Sequence, residues 1–334
     1  MSSSLESHEV NTPVVEHQAK AVAGLSPTRL AIKRFRKDKL SMASFVLVAL
    51  VFILGVLAPI LVKVGVLDFQ TFHNSDKLLD VANGGIPRGT LGGISWKHPL
   101  GIEPGTGRDV LARVWYGITF SLAIALSATI VAVVIGTVLG IVSGYRGSWV
   151  DATIGRVIDL TLSFPQTLML LALSTIFIKV IQDALGLSSY NFASAIYVVL
   201  VLGLFGWPSV ARLIRGQVLT IREREFIDAA KLLGASPRRI YFKEILPNLW
   251  APLLVSFTLT MPSYVSAEAA LSFLGVGIHA PTPTLGNILT GSINYANADF
   301  FFFFFPAFLI AVIVVSFNLL GDGIRDALDP KSDQ

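Results

Sequence analysis

The stretch ITFSLAIALSATIVAVVIGTVLGIV, Ile118–Val142, runs 25 residues without a charged side chain. As an α-helix rising 1.5 Å per residue it more than covers the roughly 30 Å of hydrocarbon in a bilayer. Gly136 and Gly140 within it, with Gly144 just beyond, form a small-xxx-small series. That pattern lets two helix backbones approach closely. Five further runs have the length to span: Ala43–Val62, Ile158–Ile181, Phe192–Val210, Trp250–Leu274 and Phe300–Leu320. Pro165, Pro208, Pro252 and Pro262 fall in or beside them, which a membrane bundle tolerates because neighbouring groups satisfy the freed carbonyls. The expectation is an all-α membrane protein with six transmembrane helices.

Composition agrees. The 334 residues are 53% hydrophobic and only 14% charged, with a mean hydropathy of +0.68. Soluble domains carry roughly 25% charged residues, so a disordered chain and a nucleic-acid module are excluded and a soluble enzyme is disfavoured. The sequence contains no cysteine. Disulfides, thiolate metal sites and a cysteine nucleophile are therefore ruled out.

Residues 1–28 are polar and read as a disordered tail, with no signal-peptide pattern. A basic cluster (Arg29, Lys33, Arg34, Arg36, Lys37 and Lys39) then abuts the first span. With that cluster inside, 19 of the 26 Lys and Arg residues fall in cytoplasmic segments, as the positive-inside rule requires. Both termini are thus expected in the cytoplasm. Cysteines introduced at Ser188 and Asn294 should react with an impermeant thiol reagent in intact cells, and one at Ser236 only after permeabilisation. Labelling at Ser236 in intact cells would reverse the orientation. The expected organisation is the tail 1–28, an amphipathic segment with the first span and a large irregular outer loop over 29–113, a five-helix core over 114–324 with a cytoplasmic loop 212–248, and a cytoplasmic C-terminus 325–334.

Catalytic patterns are missing. No lysine follows a glycine, so the phosphate-binding G-x-x-x-x-G-K-[ST] loop cannot form. The histidines at 8, 17, 73, 98 and 279 lack ligand spacing. His98 and His279 both fall outside and leave room only for a weak metal site; unrelated surface histidines are the plainer reading. Energy for uphill transport would have to come from an ion gradient or from a partner.

The inner loop is the most informative segment. In Arg222–Leu233, Phe226, Ala229, Ala230 and Leu233 recur at i, i+3, i+4 and i+7, one face of a helix. Gly234 follows as a left-handed cap would. Ser236-Pro237 then offers an N-cap and a first-turn proline, opening a second helix through Ile240, Tyr241, Glu244 and Ile245 that Pro247 should stop. Two readings of this elbow stand: a docking element for a cytosolic partner, or a basic loop lying on anionic membrane lipid.

Asp228-Ala229-Ala230, Gly234 and Ile245-Leu246-Pro247 resemble the E-A-A…G…I-x-L-P loop of binding-protein-dependent ABC importer permeases, with Asp in place of Glu at 228. His98-Pro-Leu-Gly101, Gly107-Arg-Asp-Val-Leu111, Gly144-Tyr-Arg-Gly147, Leu162-Ser-Phe-Pro165, Leu271-Ser-Phe-Leu-Gly275 and Asn318-Leu-Leu-Gly-Asp-Gly323 are similar to the C-type membrane subunit of the dipeptide/oligopeptide/nickel subgroup. The outer motif Gly101-Ile-Glu-Pro-Gly-Thr-Gly-Arg-Asp109 departs from that subgroup's usual G-T-D-x-x-G-R-D.

The resemblance implies a type I ABC importer (MetI-like) permease fold in the bacterial inner membrane. It implies an ATPase-coupling loop at Phe226, Asp228, Ala229, Ala230, Leu233, Gly234, Ile245 and Pro247. The partners it implies are a B-type permease, one or two ABC ATPase subunits, which would use ATP and Mg, and an extracytoplasmic substrate-binding protein. This chain would bind no cofactor of its own. Substrates would be short peptides, with nickel chelates or glutathione as alternatives.

An ion-coupled secondary transporter is the competing class. It would need intramembrane acids, for which Asp159 and Glu268 are the candidates. Either acid could instead serve structure, Glu268 by bonding a neighbouring helix and Asp159 by snorkelling to the inner interface.

Overall fold

The computed structural model describes residues 27–72, 78–89 and 91–328. The polar tail 1–26 and residues 329–334 lie outside the described residues. A short basic helix α1 (Pro27–Lys37) leads into α2 (Lys39–Lys63), whose N-cap Asp38 accepts hydrogen bonds from the Leu40 and Ser41 amides at 3.2 and 3.1 Å. The long helices α3 (Val110–Arg146), α6 (Tyr190–Ile221), α9 (Trp250–Phe273) and α11 (Phe300–Leu328), together with α2 and α5 (Gln166–Leu185), supply six apolar spans.

Helices α3 and α6 form the axis of the bundle. A Cβ on Gly136 would lie 2.6 Å from Val210 Cβ, one on Gly140 2.9 Å from the Ala211 carbonyl oxygen, and one on Gly144 2.8 Å from Val218 Cβ. The three glycines therefore let α6 lie directly on α3, as the small-residue spacing requires. Helix α2 crosses α3 on the other side, where Trp115 Nε1 donates to the Leu54 carbonyl at 2.8 Å and Thr119 to that of Gly55 at 2.7 Å. Helix α11 closes on α2 and α9, with Phe52 and Phe317 edge to face at 5.9 Å. Helix α5 is held to α6 by the Tyr197 hydroxyl, which donates to the Leu170 carbonyl at 2.6 Å.

The third expected span needs correction. The run 158–181 is not one helix: α4 (Ser148–Ser163) ends at Phe164, and α5 begins after Pro165. A proline disfavours the helical region for the residue before it, and Phe164 is extended at φ −85°, ψ 131°. The first ten residues of the segment 212–248 are helical, because α6 continues to Ile221.

Pro247 does not stop its helix. Leu246 keeps helical angles (φ −55°, ψ −42°). The chain passes from α8 (Pro237–Arg239) through a π-turn over Ile240–Ile245 and a 3-10 turn over Leu246–Leu249 straight into α9. The π-turn lets the Leu246 amide reach the Tyr241 carbonyl, and the Asn248 side-chain amide donates to the Glu244 carbonyl at 2.6 Å. The backbone groups that a proline disturbs thus find partners, and the turn extends rather than breaks.

At the opposite end, the loop before α3 contains a two-residue antiparallel pair, β1 (Leu79–Asp80) with β2 (Ile86–Pro87), which sequence periodicity could not show. A short helix α10 (Leu285–Ile293) lies between α9 and α11. Its N-cap Thr284 forms a capping box with Asn287.

Candidate functional site

The elbow is built from α6 outward. Beyond Ile221, Arg222 Nη1 donates to the Gly144 carbonyl at 3.0 Å, tying the end of α6 to the end of α3. Two turns earlier, Arg215 grips Asp151 on α4 through Nε and Nη2, each at 2.6 Å. That fork holds the Asp151 carboxyl below the usual carboxylate range, with Ser143 adding a further hydrogen bond.

Helix α7 (Glu225–Leu232) follows, with Glu225 and Asp228 in its first turn, where negative charge favours the helix dipole. Its end is a Schellman cap: the Ala235 amide reaches the Ala230 carbonyl at 3.0 Å and the Gly234 amide that of Lys231 at 2.9 Å. Gly234 has φ +74°, and a Cβ there would meet no atom within 4 Å. Ser236 then caps α8, accepting from the Arg239 amide at 3.4 Å.

One side chain of α7 turns inward. Ile227 is fully buried with Ile240, Ile245 and Leu249 against Ile141, Ile214 and Val218 of α3 and α6. The face Phe226, Ala229, Ala230 and Leu233 is therefore not what anchors the elbow. Phe226, Ala229 and Leu233 are exposed, as are Asp228, Gly234 and Pro247, while Ala230 is half-buried. Ile245 stands apart from these, sealed in the anchoring cluster. Leu232 and Leu233 are 89% and 87% exposed. Sequence reasoning missed both Ile227 and Leu232. The available signal was the adjacent pair Leu232-Leu233 ahead of a capping glycine, since neighbouring helical positions point about 100° apart and at least one of such a pair turns away from the centre of a buried face. Where α6 passes into α7, an open cleft of about 860 Å³ is lined by Gln217, Thr220, Glu223, Arg224, Phe226 and Asn248. The elbow is thus welded at its base and apolar at its free tip.

The two acids expected within the membrane differ in kind, and α4, which carries Asp159, is not among the six apolar spans. Asp159, on α4, is exposed and pairs with Arg212 of α6 at 2.5 Å. Glu268, on α9, is buried and accepts hydrogen bonds from Ser121 of α3 at 2.9 Å and Ser272 at 3.0 Å. The Ser121 oxygen also accepts from the Leu285 amide at 3.0 Å. Glu268 thereby joins α3, α9 and the start of α10. His98 and His279 do not converge: His98 Nδ1 meets Asp109 at 2.7 Å, while His279 lies by the Tyr190 ring at 5.6 Å. Among the described residues no cluster of three or more His, Cys, Asp or Glu gathers.

Residues 136–334 match the family described as the binding-protein-dependent transport system inner membrane component. The match begins at the first glycine of the α3–α6 seam and takes in the whole elbow. The chain belongs to this family. Residues 26–76 of the permease also match the N-terminal transmembrane domain of oligopeptide transport permease C, which places α1 and α2.

Among curated relatives, the permease is 36% identical to the dipeptide transport system permease protein DppC of Alkalihalophilus pseudofirmus, over 97% of this chain and 95% of that one. It is 32% identical to the oligopeptide transport system permease protein OppC of Bacillus subtilis, over 92% and 90%. It is 33% identical to the glutathione transport system permease protein GsiD of Escherichia coli, over 90% and 89%. Among solved structures, an inward-facing form of the MetNI methionine ABC transporter superposes with a TM-score of 0.51 at 20% identity, covering 66% of this chain and 96% of that chain. The permease therefore has six membrane helices in the type I ABC importer fold and is a multi-pass membrane protein.

Proposed function

We propose that this permease is the C-type membrane subunit of an ATP-driven importer of short peptides, lining half of the pathway beside a B-type permease. The elbow docks on a cytosolic ABC ATPase subunit, both termini lie in the cytoplasm, and an extracytoplasmic binding protein delivers substrate at the opposite end. ATP and Mg act on the ATPase, and the permease itself hydrolyses nothing. The observation that carries this reading is the elbow: Leu232 and Leu233 project into solvent from a base fixed to α3 and α6 through Ile227 and Ile245. A rigid lever with an apolar tip transmits a push from a partner into the spans. The substrate class follows from the relatives named for dipeptides and oligopeptides. The glutathione relative favours a tripeptide as the second reading.

The test is Leu232→Asp combined with Leu233→Asp in a reconstituted complex. Both side chains are exposed in the chain alone, so its fold should be unaffected. At a docked interface the loss of two buried leucines is worth about 3 kcal/mol or more, a roughly hundredfold fall in ATPase affinity. Unchanged ATPase pull-down with unchanged peptide uptake would refute the docking role.

A further inference from the structure

At the end of the bundle opposite the elbow, a cavity of about 330 Å³ lies between the loop leading into α3 and the segment joining α9 to α10. Glu103, Arg108, Arg113, Asn287 and Thr290 are among its lining residues. Arg113, in the first turns of α3, is only 2% exposed, yet its Nε and Nη1 find no hydrogen-bond acceptor among the described residues. Its nearest carboxylate is already engaged. Glu103 Oε2 accepts from Arg108 Nε at 2.5 Å and from the Thr106 hydroxyl at 2.6 Å, and stands 3.7 Å from Arg113 Nε, too far for a hydrogen bond.

The neighbouring polar groups are also committed. The Asn287 amide donates to the Ile278 and Thr282 carbonyls at 2.9 and 2.8 Å, and Thr290 donates to Gly286 at 2.9 Å. Asp109 is turned to the α3 cap and to His98. A buried cation with unfilled donors is costly unless an acceptor arrives. The start of a helix adds positive potential of its own. The cavity volume falls at the lower end of the roughly 300–1,000 Å³ typical of small-ligand pockets.

We propose that this cavity is a carboxylate subsite, in which Arg113 takes the C-terminal carboxylate of a peptide as it enters from the outer face. The inference rests on the peptide-importer reading above. It adds a specificity element within the membrane subunit itself, separate from any selection by a binding protein. Glu103 is shared by two cations but held closer by Arg108, at 2.5 Å against 3.7 Å for its ion pair with Arg113, so Arg113 is the member of the trio with hydrogen-bond donors left for an incoming anion.

The experiment uses the assembled membrane complex with its ATPase, without binding protein, in nanodiscs. Binding of Ala-Ala is compared with binding of its C-terminal amide by calorimetry. The free acid should bind about tenfold or more tightly than the amide, the range expected of charge-assisted hydrogen bonds, and acetate should compete with it. Arg113→Gln should erase the acid-over-amide ratio, and Arg113→Lys should retain part of it.

Equal binding of acid and amide in the wild type overturns the subsite, as does a ratio that survives in Arg113→Gln. If Arg113→Gln weakens docking of the binding protein while leaving the ratio intact, the residue serves a protein carboxylate and the proposal falls. Should Arg113→Gln not assemble, the wild-type ratio and its competition by acetate decide the matter. Peptide uptake into proteoliposomes, measured in parallel with the binding protein supplied, separates the two readings. Uptake with a ratio near one removes only the subsite; no uptake with the ratio intact removes the importer reading and leaves a carboxylate site.

Discussion

Gly140→Leu should abolish accumulation of folded permease. A Cβ at Gly140 would already stand 2.9 Å from the Ala211 carbonyl and 2.9 Å from Ile214 Cβ, and leucine adds three further carbons. Neither neighbour can yield, since one is helix backbone and the other a β-branched carbon against that backbone. Overpacking of this kind costs about 3 kcal/mol or more. The intrinsic helix gain on replacing glycine, under about 1 kcal/mol, does not offset it. Gly216→Leu on α6 is the control, because a Cβ there meets nothing within 4 Å. The yield of monodisperse protein and its resistance to heating should collapse for Gly140→Leu and hold for Gly216→Leu. Equal behaviour of the two variants would mean that the α3–α6 contact is not what holds the bundle.

Gly234→Arg should spare the fold and stop transport. With open space around Gly234, the variant meets no clash, and the whole effect comes from φ +74°. A side chain in the left-handed region costs about 1–2 kcal/mol, which the chain can relieve by turning α7 away from its cap. The base of the elbow stays anchored through Ile227 and Ile245, so membrane insertion should be normal. The tip, however, is re-aimed, and peptide uptake should fall to about a tenth or less, since 1.4 kcal/mol of lost alignment is already tenfold. Gly234→Asn should keep most uptake, because asparagine tolerates this region better. If the elbow merely lay on anionic lipid, added positive charge would be neutral or helpful. Normal uptake and normal ATPase attachment in Gly234→Arg would therefore favour the lipid reading.

The parts of the molecule that sequence revealed are those governed by local chemistry. Long apolar runs with few or no charges mark the spans, because the bilayer length demands them. Gly234 and Ser236 mark their caps, because a φ of +74° and an unpaired amide each select a residue type. The parts that stayed hidden depend on distant contacts. Whether a proline ends a helix was not readable: Phe164 turns extended before Pro165, whereas Leu246 stays helical before Pro247 because a π-turn and Asn248 absorb the disturbance. The helical periodicity of α7 picked out a face carrying Phe226 and Leu233, which stay exposed, and gave no sign that Ile227 would be the residue buried against α3 and α6. Glu268 looked isolated in the sequence, since its partner Ser121 lies 147 residues away. The Arg113 donors that find no acceptor among the described residues emerged only once the loop before α3 was folded against the segment after α9.

The glycine seam between α3 and α6 also bears on how the chain is made. Ile214 is synthesised 74 residues after Gly140. At roughly 5–20 residues per second that is a delay of about 4–15 s. During this interval α3 is complete, while the helix that will cover its glycines has not yet emerged, and α4 and α5 are threaded first. The nascent bundle must keep that strip of bare backbone free of wrong partners, including the glycine strip of another newly made chain. Slowing translation between residues 186 and 214 would prolong the vulnerable interval and raise the fraction of chains lost to mispairing and proteolysis.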